Sequence, residues 1–148
     1  MDYEQITEGI RVRVRPSFSF PYSAPEHGKF VFTYLVQMEN QSEEAAQLLF
    51  RHWRIHDSEG EDSEVDGEGV IGQQPTLAPG KSHVYESFCE LKSPVGFMEG
   101  YYTFVRPTGE KFRVLVPRFD LQAPWTVRGA TSSRPWTLGG GPEADLIN

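Results

Sequence analysis

A chain of 148 residues with 38% hydrophobic content fits one domain with a single well-filled core. Its net charge of −7 favours solubility and argues against general affinity for nucleic acid, and no apolar run reaches membrane-spanning length. Ten Phe, six Tyr and three Trp set among fourteen Gly and eleven Pro favour short strands joined by many turns. The single cysteine, Cys89, has no internal disulfide partner; placed in a predicted strand, it reads as buried and inert. The N-terminus carries acids where a signal peptide would carry bases, so the cytoplasm is the expected location.

In chain order, Gly9 to Arg15 alternates strictly, with Ile10, Val12 and Val14 on one face and Arg11, Arg13 and Arg15 on the other. That arginine row has two readings. One is a solvated edge strand whose like charges deter aggregation, and the other is a docking face for an acidic partner. Pro16 to Gly28 reads as a loop with Phe18, Phe20 and Tyr22 between prolines, either packed over an open end of the core or offered as a contact site. Lys29 to Glu39 is a second strand, apolar on both faces at first and therefore central.

The stretch from Gln47 to Pro75 organises the rest. Leu49, Arg51, Trp53 and Ile55 alternate with Phe50, His52, Arg54 and His56, which on a strand sends Trp53 and Ile55 inward and the basic row His52, Arg54, His56 outward. The two histidines sit four apart, a spacing of about 13 Å along a strand, too wide for one metal bound at about 2 Å. Asp57 to Asp66 reads as an acidic hairpin tip. It lacks the glycine and the flanking helices of a calcium loop. Gly67, Gly69 and Gly72 then spell a Gly-x-Gly-x-x-Gly string. A phosphate cradle needs a helix starting inside such a loop, and the prolines that follow forbid one; Glu68 and the upstream acids would also repel an anion. A bend or bulge in an edge strand is the expected role.

Lys81 to Leu91, Phe97 to Arg106 and Lys111 to Phe119 complete the strands, the last with Phe112, Val114 and Val116 inward and Pro117 at an edge or strand end. About seven strands and no helix predict an all-β antiparallel sandwich of immunoglobulin or fibronectin type III kind, spanning 1–124. Residues 125–148 lack periodicity and read as a flexible tail, which Trp125 and Trp136 could pin in part.

Several blocks in order, among them Arg51-His52-Trp53-x-Ile55-x-Asp57, Val65-x-Gly67-x-Gly69-Val70-x-Gly72-x-Gln74-Pro75 and Pro94-x-Gly96-x-Met98-x-Gly100-x-Tyr102, resemble the ApaG family from about Tyr3 to Pro124. The resemblance implies a fibronectin-like sandwich without assigned catalysis, linked to cobalt resistance and magnesium efflux. It also implies protein-interaction roles for related domains and a pyrophosphate or nucleotide site suggested at the glycine motif. No nucleophile–base motif joins Ser87, Cys89 and the four histidines, so neither catalysis nor a cofactor is expected. An anion site would draw on Arg51, His52 and Arg54 beside Gly67, Gly69 and Gly72. The favoured expectation is a protein-interaction module, with Arg11, Arg13 and Arg15 as one face for a protein partner, no preformed metal site, and room for self-association.

Overall fold

Alternating apolar residues and closely spaced turns leave the chain one way to bury its rings, between two sheets. The computed structural model describes residues 2–126. Its strands are β1 (Tyr3–Thr7), β2 (Ile10–Phe18), β3 (Phe30–Asn40), β4 (Ala46–Asp57), β5 (Ser63–Glu68), β6 (Thr76–Leu77), β7 (Ser82–Leu91), β8 (Val95–Val105) and β9 (Lys111–Gln122). The first sheet runs β1-β2-β3-β7 and the second β5-β4-β8-β9, with β6 paired to β4. Every pairing is antiparallel. The two sheets pack face to face as an all-β sandwich of the fibronectin III-like kind.

Trp53 is the hub of the core. Its ring meets Tyr34 from the first sheet at 5.7 Å, and Tyr102 and Phe119 from its own sheet at 5.9 Å each. These edge-on contacts add to the area each ring removes from water. Strand β3 is buried on both faces from Phe30 to Val36, as its composition predicts.

Three expectations change. The arginine strand β2 is internal, because the unforeseen β1 covers its free side. β1 escaped notice because Tyr3, Gln5 and Thr7 turn inward, while the one aliphatic residue, Ile6, is exposed. β2 also continues through Phe18, into the expected loop. In β4 a bulge between Leu48 and Phe50 resets the alternation, so Leu48 fills the core in place of Leu49, while Phe50 keeps to the outer face with His52 as predicted, 42% exposed. At the end of the described residues, Trp125 lies 5.3 Å from Phe18 and 6.3 Å from Phe30, which ties this part of the predicted tail to the sandwich. Trp136 lies outside the described residues.

Asp57 fastens the end of β4 to the β7–β8 turn. It is buried, and its carboxylate accepts bonds from Lys92 N at 2.6 Å, Ser93 Oγ at 2.6 Å and Glu59 N at 3.2 Å. Burial alone would raise its pKa, but the bonds from Ser93, Lys92 and Glu59 together outweigh it and hold the carboxyl below its ordinary value. A depressed carboxyl contributes in full above its unfolded value of about 4 and loses that contribution as pH falls through the lower folded value. Asp57→Asn is therefore expected to cost about 2 kcal/mol at pH 7. The gap between wild type and variant should close in urea melts as the pH falls below about 4.

Candidate functional site: the outer face of the second sheet

The glycine string is paired backbone. Gly67 sits in β5 opposite Arg51, and Gly69 N–H donates to Leu49 O at 2.8 Å. Val70 and Gln73 exchange two backbone bonds of 2.9 Å around Ile71 and Gly72, whose φ angles of 47° and 72° are those of a tight hairpin turn. No helix starts here. The N–H groups of Gly69, Val70 and Gln73 already have carbonyl partners.

Arg51 points inward from β4 and is buried. Its Nη1 donates to Glu68 O at 3.0 Å and to Gly69 O at 2.9 Å. A Cβ on Gly67 would lie 2.6 Å from the guanidinium, so that glycine makes room for the arginine. Behind it lie three buried tyrosines: the Tyr85 and Tyr102 hydroxyls share a 2.5 Å bond, and Tyr34 bonds Ser87. Burial pushes all three phenols up, against the nearby positive charge of Arg51. Arg51 thus acts as the closing pin of the hairpin. Sequence reasoning missed the tyrosines, because they come from three strands distant in the chain and only the fold brings them together.

Ser87 and Cys89, the sequence's nucleophile candidates, both face the core. Desolvation pushes the Cys89 thiol up to about 12, far from the thiolate that reactivity needs.

The other expected residues divide between two surfaces. Arg11 bridges Glu4 at 2.7 Å and Glu39 at 3.1 Å, Arg13 lies 3.6 Å from Glu4, and Arg15 pairs with Asp2. This row is therefore matched with acids of β1 and β3 and with Asp2 just before β1. His52, Arg54 and His56 point outward from the second sheet, as predicted. His52 Nδ1 lies 2.6 Å from Asp66 and Nε2 3.2 Å from Glu64, while His56 Nδ1 lies 2.6 Å from Asp62. Arg54 joins Asp62 and Glu99, and Glu99 also holds Arg118. The bond from His56 and the pairing with Arg54 hold the Asp62 carboxyl below its ordinary range.

The registers build a lattice across β5, β4, β8 and β9. One row runs Glu68, Phe50, Thr103, Arg113; the next but one runs Glu64, Arg54, Glu99 and the Pro117–Arg118 bulge. Two stacks cross it. His52 lies on Tyr101 at 4.8 Å with Arg113 at 4.3 Å from the same ring, and His56 lies on Phe97 at 4.7 Å with Arg118 at 3.8 Å. Leu115, 44% exposed, stands beside Tyr101 in the β9 column. Tyr101, Phe97, Arg113 and Arg118 were not singled out from sequence. The signal was present in the alternation Phe97-x-Glu99-x-Tyr101 against Met98-x-Gly100-x-Tyr102, legible once β8 is known to sit between β4 and β9. Among the described residues no group of three or more His, Cys, Asp or Glu is arranged to hold a metal ion.

The ApaG domain pattern matches residues 21–106. Protein ApaG of Rhodospirillum centenum is 44% identical over 122 residues, covering 82% of this chain and 94% of that protein. The chain belongs to the ApaG family. Protein ApaG of Anaeromyxobacter dehalogenans is 49% identical over 119 residues, 80% of this chain and 94% of its own. The crystal structure of a putative ApaA protein from Bordetella pertussis matches with a TM-score of 0.75 at 40% identity, over 82% of this chain and 95% of that one. The ApaG relationship thus covers the sandwich that carries both the Arg51-pinned hairpin and the outer lattice. No helix among the described residues of this ApaG chain is long and apolar enough to cross a membrane.

Proposed function

We propose that this ApaG sandwich is a non-catalytic protein-interaction module of the cytoplasm that works through the outer face of its second sheet. Its link to cobalt and magnesium homeostasis, implied by the family resemblance, is then indirect and works through protein contact at that face. The observation that supports this reading is the pair of arginine-on-aromatic stacks, Arg113 on Tyr101 and Arg118 on Phe97, carried by a surface of four hydrogen-bonded strands. Arginine and aromatic side chains dominate the energetic centres of protein interfaces, and here they are already oriented before a partner arrives. The sequence offers the same sheet no nucleophile with a free base, and the histidines on it are engaged by Asp62, Glu64 and Asp66.

The test is complementation of a strain lacking its own copy, scored as cobalt tolerance. Wild type restores tolerance, and the Arg113→Glu/Arg118→Glu double variant, verified as folded by near-ultraviolet circular dichroism, fails to. Full restoration by the folded double variant would refute the face. Calorimetric titration with Co²⁺ and Mg²⁺ is expected to show no tight one-to-one binding, and a tight isotherm would replace the indirect role with a direct one.

A further inference from the structure

The charges on the outer face are sorted by column. β5 presents Glu64, Asp66 and Glu68 along one border, and β9 presents Lys111, Arg113 and Arg118 along the opposite one, with a single acid, Asp120, beyond Arg118 at the far end. Phe50, the two histidine–aromatic stacks and Leu115 lie between or beside them. Such a surface repels a copy of itself in one orientation and attracts it in another. A two-fold axis laid across the strands sets β5 on β5, acid on acid. An axis laid along the strands, between β4 and β8, sets β5 of one copy on β9 of the other. In that register Glu68 faces Arg113, Glu64 faces Arg118 and Arg54 faces Glu99, with each pair made twice, as an isologous contact requires.

We infer that the partner of this face is a second copy of the same chain, in a face-to-face dimer whose two-fold axis runs along β4 and β8. The inference rests on the outer face being the interaction face and names its occupant. Charge complementarity sets the register, and packed sheets with nearly aligned strands are the ordinary geometry for two such surfaces. Size sets the strength. Four strands spaced about 4.8 Å apart over some seven residues give a patch of roughly 500 Å² per copy. Two such patches fall at the small end of specific interfaces. The dimer is accordingly reversible, and because its outer pairs, Glu68 with Arg113 and Glu64 with Arg118, lie at an exposed rim, it weakens with added salt.

The experiment is sedimentation equilibrium on the full chain across a concentration series, at low and high salt. Wild type moves from its monomer mass of 16.8 kDa toward twice that value as concentration rises, and less so at high salt. Glu68→Arg alone sets two arginines together at each border, and Arg113→Glu alone sets two glutamates together, so each variant loses association at least about tenfold. An equimolar mixture restores both pairs at once and recovers association to about the wild-type level. This rescue is specific to the proposed register. Wild type that stays monomeric at millimolar concentration, single variants that associate as wild type does, or a mixture no better than its components would each overturn the dimer. A monomeric wild type combined with loss of cobalt tolerance in the Arg113→Glu/Arg118→Glu variant would remove the second copy as occupant and leave the interaction face standing.

Discussion

Arg51→Met is expected to destabilise the sandwich by about 3 kcal/mol, read as a lower urea midpoint. Two effects oppose each other. Replacing a buried guanidinium by an apolar chain of similar reach returns its desolvation cost, which is why some buried ionic groups are replaced without loss. Here, however, the partners are the backbone carbonyls of Glu68 and Gly69, and neither can be replaced along with the arginine. Both would be left unpaired near Gly69, which is itself buried, and the hairpin turn would lose its anchor. Unpaired acceptors at about 1–3 kcal/mol each outweigh the returned desolvation. Arg51→Lys should fall between the two, since an ammonium can donate to the carbonyls that Nη1 now holds but lacks the planar guanidinium that fits the space above Gly67. A methionine variant as stable as wild type would show that the hairpin closes without its pin.

Gly100→Ala should cost about as much, some 3 kcal/mol, for a steric reason. Gly100 pairs with Trp53 in the centre of the second sheet. A Cβ there would fall inside the contact distance of the His52 carbonyl oxygen and against the Trp53 backbone, neither of which can rotate away. β8 would have to separate from β4 beside the ring that anchors the core. Gly109→Ala is the control: φ there is +92°, but nothing lies within 4 Å of the added methyl, so only the left-handed backbone penalty of about 1 kcal/mol applies. Thermal melts of the two variants should differ by several degrees, with Gly100→Ala the lower.

The fold was legible because the residues that decide it act locally. Ile10, Val12 and Val14, or Phe112, Val114 and Val116, alternate with polar neighbours, and the Pro-Gly turns divide one strand from the next. That no helix starts in the Gly-x-Gly-x-x-Gly string was legible too, since Pro75 is a short-range fact. What escaped were features set by pairing across the chain. The acids that neutralise Arg11 belong to β1 and β3. The three tyrosines behind Arg51 come from β3, β7 and β8. The phase reset at Leu48 comes from a bulge facing β8, which no periodicity within β4 announces. The outer lattice lay between these cases: its residue types were visible, but their order required knowing that β4, β8 and β9 are neighbours.

Amide hydrogen exchange at Gly69, Val70 and Gln73 tests the reading of the glycine hairpin most directly. If these N–H groups are held by Leu49, Gln73 and Val70 carbonyls beneath the Arg51 pin, they exchange slowly, through openings nearly as costly as global unfolding, and millimolar pyrophosphate leaves their rates unchanged. Exchange at the rate of an open loop, or protection that appears only when pyrophosphate is added, would contradict it.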